Sequence, residues 1–261
     1  MKIAVVKLSG KTIDQFVTGS IGKDLINNLK LEYEGVVIIH GGGKLISEWS
    51  TKLGHEVSFY EGQRVTCKNT IDVVSSVQGG LLNSKITSYL YSFNIRAIGL
   101  NGIDGGAFIA NQLDDKLGYV GRPVVKNQLT WIVELLKQGF VPVFSSLCSD
   151  QYGQIMNVNA DLFAAALSIS LSAEAVLFFS DVDGVLLNNK YQNLLTMDDI
   201  KEGISSGEIN GGMIPKMHSC LELIDQGVSK IWIGNNFNEF TNISSNKKRG
   251  TWIVSTKRIA I

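Results

Sequence analysis

Short β-branched runs alternate with longer stretches of helical period along the whole chain, and this alternation limits the fold more than any other feature. Residues 3–8, 36–40, 95–100, 141–145, 176–180 and 230–233 are apolar runs of strand length. Between them, residues 14–31, 44–53, 69–93, 129–138, 161–171 and 213–226 carry apolar side chains at three- and four-residue spacing, the period of a helix packed on one face. Strands that read as continuous apolar runs are buried on both faces, and strands separated by helices run parallel. The pattern therefore predicts an α/β protein with a mostly parallel sheet covered on both sides. Residues 104–125 break the rhythm: Gly105, Gly106, Gly118 and Gly121 punctuate short extended pieces at 119–120 and 123–125, which predicts a β-hairpin excursion. A soft division into two lobes, 1–150 and 151–261, is expected without a flexible tether, because no proline- or serine-rich linker interrupts the chain.

Several function classes are disfavoured. The 24 Lys+Arg balance 24 Asp+Glu, so the chain has no electrostatic footprint for nucleic acid or an acidic membrane. Three cysteines, Cys67, Cys148 and Cys220, are odd in number and form no CxxC pair, which argues against a disulfide scaffold or a zinc site and for a reducing compartment. The opening apolar run is too brief for a signal peptide, and no stretch reaches the ~18 apolar residues of a membrane span. A cytoplasmic protein with no resident metal is expected.

The chemistry-bearing residues lie where strands empty into loops. Lys7 stands one place before the end of the first apolar run, where an ammonium needs an anion or a route to solvent. His40-Gly41-Gly42-Gly43-Lys44 carries a strand into a helix through three glycines, suited either to an anion on free N–H groups or to close packing; it is neither GxGxxG nor a Walker loop. Arg64 follows Gly62 in a loop, and its planar fork suits a carboxylate, though most loop arginines are simply solvated. Asn157 and Asn159 alternate on one side of an extended run before Asp161 opens an alanine-rich helix, where Asn159 or Asp161 is also a natural cap. Asp181-Val182-Asp183-Gly184 fits either a dehalogenase-type phosphatase, with Asp181 as nucleophile, or a nucleotide-binding turn. Lys216 lies at the start of a helix, where a cation opposes the macrodipole unless an anion is near. His40, His55 and His218 form no constellation.

In order, KLSG at 7–10, HGGGK at 40–44, GQRVT at 62–66, NVNAD at 157–161, SDVDGV at 180–185 and GGMIPK at 211–216 resemble the amino-acid kinase family over essentially the whole chain, and most of all its members that phosphorylate N-acetyl-L-glutamate. The resemblance implies an open three-layer αβα sandwich, with an amino-terminal lobe for the acyl amino acid and dimerisation and a carboxy-terminal lobe for ATP. It implies phosphoryl transfer from MgATP, the Mg2+ carried by the nucleotide, to a side-chain carboxylate. Lys7 and Lys216 would neutralise the transition state, Asp161 would hold both, and Gly10, Gly42 and Gly43 would offer N–H groups. Arg64, Asn157 and Asn159 would bind the acceptor. Asp181, Val182, Asp183, Gly184, Val185, Leu186, Glu208, Ile209, Asn210 and Met213 would line the nucleotide site. A carboxylate acceptor is already ionised, so no general base is needed. KLSG stands where KLGG is commoner, and Cys67 follows RVT where an acidic residue or proline is frequent. The strand beginning at residue 2 leaves no room for the extra helix of arginine-inhibited hexamers, so the expectation is a homodimer insensitive to arginine. The rival readings are kinases of another acylated or carrier-linked acidic amino acid, a phosphatase, and a non-catalytic sensor.

Overall fold

Leu8, His40, Ser145 and Phe179 fall side by side because the strands that carry them run parallel, which brings Lys7 to the same edge one residue back. In the computed structural model, which describes residues 1–240 and 250–256, eight strands form one sheet. Their order is Leu194–Thr196, Thr251–Val254, Lys230–Gly234, Ala175–Phe179, Ile3–Leu8, Gly35–His40, Val141–Ser145 and Ala97–Asn101. Every pairing is parallel except that of Lys230–Gly234 with Thr251–Val254. All six residues of Ile3–Leu8 are buried. Ile3 and Val5 pack on one side with Ile132, Phe163 and Met217, while Ala4, Val6 and Leu8 pack on the other with Phe16, Leu25 and Ile86. The alternation of a two-residue period between two helical layers makes the αβα sandwich.

The sequence differs from the structure in boundaries and in one topology. The helix expected over 14–31 is two, Gly10–Phe16 and Ile21–Glu32, broken where Gly19 adopts φ +54°. Residues 69–93 are one helical run, Lys68–Ser92, whose middle, Ser75–Leu82, is π-helix. The excursion is a hairpin, Phe108–Gln112 against Val120–Val125, with 120–125 one strand rather than two pieces. It closes with Leu147–Ser149 and Ile155–Val158 into a small four-stranded barrel, a pairing between distant segments that local patterning does not encode. The helix Met197–Ser205 was not anticipated; its signal is the capping box in which Thr196 and Asp199 bond each other's backbone N–H.

Where the Gly35–His40 strand ends, His40 is wholly buried. Its Nδ1 pairs with Gly41 O at 3.0 Å and its Nε2 with Asn83 Nδ2 at 3.2 Å, which assigns the proton to Nδ1. Asn83 also donates to Val143 O at 2.9 Å, tying helix, His40 and neighbouring strand together. Burial pulls the imidazole pKa down from 6.5 to about 4. The unfolded chain therefore binds a proton at His40 that the folded one refuses between those values. Stability is undiminished above pH 6.5 and falls by about 3 kcal/mol as the pH drops to 4. Urea midpoints at pH 7 and 4.5 check this; the fall should be smaller in His40→Gln, and an equal fall there would assign it to other groups.

Candidate active site

Two cavities open at the carboxyl edge of the sheet, the position where open α/β sheets bind ligands. The first, of 230 Å³, is lined by Lys7, Gly10, Gly41–Gly43, Arg64, Asn157, Asn159 and Asp161 among others. The second, of 430 Å³, is lined by Asp181, Val182, Asp183, Gly184, Leu186, Glu208, Ile209, Asn210 and Met213, with Tyr191.

Lys7 is buried because its strand is the centre of the sheet, and its ammonium is answered by Asp161 Oδ1 at 2.7 Å. Asp161 is placed by its helix, Ala160–Ser170, whose cap is Asn159: Asn159 Oδ1 accepts from Asp161 N at 2.8 Å and Leu162 N at 3.4 Å. Asn159 is thus both cap and cavity wall. Asn157 reaches the wall from the strand Ile155–Val158, its Nδ2 donating to Thr66 Oγ1 at 3.1 Å.

Arg64 is buried beside the glycine loop. Its Nη2 donates to Gly43 O at 2.8 Å and Ser47 Oγ at 2.6 Å, and its guanidinium lies over Phe59, 4.8 Å from the ring centre. Burial lowers its pKa. Nη1 is buried without a hydrogen-bond partner among the described residues, a costly arrangement that an anion in the cavity would relieve. Gly42 caps the helix Gly43–Lys52 without a side-chain hydrogen bond, so the first amides of that helix are offered to a ligand; at the start of Met213–Asp225 they are already taken, Met213 N–H by Asn210 O and Ile214 N–H by Gly211 O, both at 3.2 Å, and Pro215 has none. Ser9 adopts φ −81°, ψ 167°, ordinary for any L-residue, and the turn into Gly10 forms with serine in place.

Lys216 lines neither cavity wall but stands between them. Its Nζ donates to Ser180 Oγ, and it feels the charges of Asp161, Lys7 and Asp181. Desolvation is the largest cause of its lowered pKa, with Lys7 adding to the shift and Asp161 and Asp181 opposing it. The expectation that Asp161 holds both lysines is met by direct contact for Lys7 alone; for Lys216 the contact is Ser180. In the sequence, Ser180 carries a weak signal beside the two carboxylates that follow it.

On the second cavity, Asp183 Oδ1 accepts from Asn235 Nδ2 at 2.5 Å and Glu208 Oε2 from Asn188 N at 3.0 Å. Gly184 adopts φ +142°, and a Cβ there would lie 2.8 Å from Thr251 Oγ1, so the turn requires glycine. Val185 does not belong to this wall. It is wholly buried and its N–H donates to Thr251 Oγ1 at 2.8 Å: its side chain enters the core, while Leu186, next in the chain, is exposed on the wall. Cys67 is exposed, and Cys148 and Cys220 are buried thiols pushed up to about 12 by desolvation. Among the described residues, no three His, Cys, Asp or Glu side chains cluster to hold a metal, and no helix is long and apolar enough to cross a membrane.

A model of the amino acid kinase family matches residues 2–235. A protein named acetylglutamate kinase from Halothermothrix orenii is 36% identical over 246 residues, spanning 90% of this chain and 83% of its own. Another of that name from Staphylococcus saprophyticus is 34% identical over 257 residues, spanning 97% of this chain and all (100%) of its own. The crystal structure of smu.665 from Streptococcus mutans UA159 superposes with a TM-score of 0.77 at 27% identity, covering 97% of this chain and 99% of that one.

Proposed function

The chain belongs to the amino acid kinase family, and from that premise we propose that it is an acetylglutamate kinase, moving the γ-phosphoryl group of MgATP to the side-chain carboxylate of N-acetyl-L-glutamate. The observation that carries this reading is the succession of cations along one sheet edge: Arg64 in the first cavity, Lys7 on Asp161, then Lys216 on Ser180 beside the second. Phosphoryl transfer asks a protein for in-line positioning and charge neutralisation, since negative charge spreads over three equatorial oxygens between the attacking and leaving oxygens.

The acceptor lies in the first cavity. Arg64 takes its α-carboxylate through the unpartnered Nη1, Asn157 and Asn159 bind around its acylamino group, and Lys7 faces the reacting carboxylate. The nucleotide lies in the second cavity, where Asp181, Asp183 and Glu208 suit ribose hydroxyls and a cation rather than bare phosphate. The Mg2+ would travel on the phosphates and offset part of their charge. Lys216 then meets the β/γ-phosphate end, and Gly10, Gly42 and Gly43 offer N–H groups to the phosphoryl group in transit. On this division residues 1–150 serve chiefly the acceptor and 151–261 the nucleotide. The reading includes a cytoplasmic homodimer whose acyl phosphate product enters arginine biosynthesis.

A non-catalytic sensor has no use for two oriented lysines, Lys7 buried and Lys216 half-buried, and the phosphatase reading of the Asp181 turn gives way to family membership. The acceptor is tested by steady-state turnover of N-acetylglutamate, N-succinylglutamate, glutamate and aspartate. The highest kcat/KM is expected for N-acetylglutamate; a preference for free glutamate would refute the assignment.

A further inference from the structure

The helical run Lys68–Ser92 widens into π-helix over Ser75–Leu82, a departure that inserts residues into the turn and re-aims the side chains it carries. There Gln78 turns inward. It is buried on the wall of the first cavity, and its Nε2 donates 2.8 Å to the hydroxyl of Ser146, which is buried on the same wall. The helix runs close to the sheet at this point: a Cβ on Gly79 would lie 2.8 Å from Leu147 Cδ1 and 3.0 Å from Asn101 Oδ1. A buried amide–hydroxyl pair costs desolvation that apolar side chains of the same shape would not. Because Ser146 Oγ accepts from Gln78, its own proton is directed elsewhere, and the cavity is what it faces.

Register gives the pair its place along the cavity. Leu8 pairs with His40, and His40 with Ser145. With strands about 4.8 Å apart, Ser146 stands roughly 10 Å along the sheet edge from the Lys7–Gly10 end. The phosphoryl-transfer end and this pair are therefore opposite ends of one acceptor cavity.

We infer that Ser146 is a specificity-determining residue that donates a hydrogen bond to the carbonyl oxygen of the acceptor's acyl group, with Gln78, delivered by the π-helix, as the positioning residue that fixes the hydroxyl. The inference rests on the proposed reading of the acceptor as an acylated amino acid. It assigns the π-helix a purpose that the reacting residues leave unexplained.

The test is kinetic, on the full chain. Ser146→Ala is expected to raise KM for N-acetylglutamate about tenfold, the loss of one hydrogen bond, while KM for ATP moves less than twofold. Preference for N-acetylglutamate over glutamate should narrow by the same factor. In the double variant Gln78→Leu with Ser146→Ala, both polar partners are gone, so a purely structural pair would be rescued; here the fold keeps its melting temperature and the KM defect persists. An N-acetylglutamate KM within twofold of wild type in the double variant, or an unchanged preference in Ser146→Ala, overturns the inference while leaving the kinase assignment intact. Failure of that assignment shows separately, as a wild-type enzyme that prefers glutamate, and overturns this inference with it.

Discussion

Replacing Lys216 by Met is expected to lower kcat for acetylglutamate phosphorylation by about 10²–10³-fold, the cost of one preorganised charge that acts on the transition state. KM for N-acetylglutamate should hardly change, because Lys216 lines neither wall of the acceptor cavity. The fold should survive. Lys216 is a cation near the first turn of its helix, where it opposes the macrodipole, and its lowered pKa records the cost of its desolvation. Removing such a group leaves Ser180 one hydrogen bond short and removes a charge held against its preference. A Lys216→Met enzyme with more than about a tenth of wild-type kcat would contradict the placement of this lysine at the moving phosphoryl group; the tenfold threshold corresponds to about 1.4 kcal/mol of barrier.

Replacing Arg64 by Met should act on the opposite end of the reaction coordinate. The acceptor KM is expected to rise about 10- to 100-fold, the worth of a charge-assisted hydrogen bond from a guanidinium to a carboxylate. KM for ATP should stay within about twofold. Stability is the distinguishing readout. The buried Nη1 has no partner among the described residues, while Nη2 holds Gly43 and Ser47, so losses and gains on truncation oppose each other. The melting temperature should shift by only a few degrees, on the order of 1 kcal/mol for a chain of this size. A large melting loss with an unmoved acceptor KM would make Arg64 a brace for the glycine loop and not a ligand for the substrate.

The central sheet and the loops at its carboxyl edge were legible because each is written in local residue type. Ile3–Leu8, Gly35–His40 and Val141–Ser145 are unbroken apolar runs, and the site glycines and charges follow directly after strands. Lys7 was readable for the same reason: a charge inside such a run needs an answering group, and Asp161 supplies it at 2.7 Å. The capping reading of Asn159 and its place on the cavity wall both hold, so two alternatives for one residue were compatible.

What escaped was long-range. Gln78 reads as one polar residue on an amphipathic helix, because the apolar pattern of residues 69–93 carries no sign that Ser75–Leu82 widens into π-helix and changes where its side chains point. Its partner Ser146 lies 68 positions away. Ser180 is a small hydroxyl beside two carboxylates, and its role depends on Lys216 arriving from a helix 36 residues later. Val185 was misplaced for the converse reason. The motif runs on past Gly184, but Val185 puts its side chain into the core between wall residues Gly184 and Leu186, so adjacency in sequence did not carry over to the cavity. The small barrel was only half visible, since its hairpin is local and its closure by Leu147–Ser149 and Ile155–Val158 is not.

The central claim is that two cavities on one sheet edge hand a phosphoryl group from ATP to an acyl-amino-acid carboxylate. It is tested most directly by incubating the purified chain with MgATP, N-acetyl-L-glutamate and hydroxylamine, and counting ADP against the hydroxamate trapped from the acyl phosphate. The account predicts one hydroxamate for each ADP, with both lost together in Lys216→Met. ADP released without hydroxamate, or equally with and without N-acetylglutamate, would contradict it.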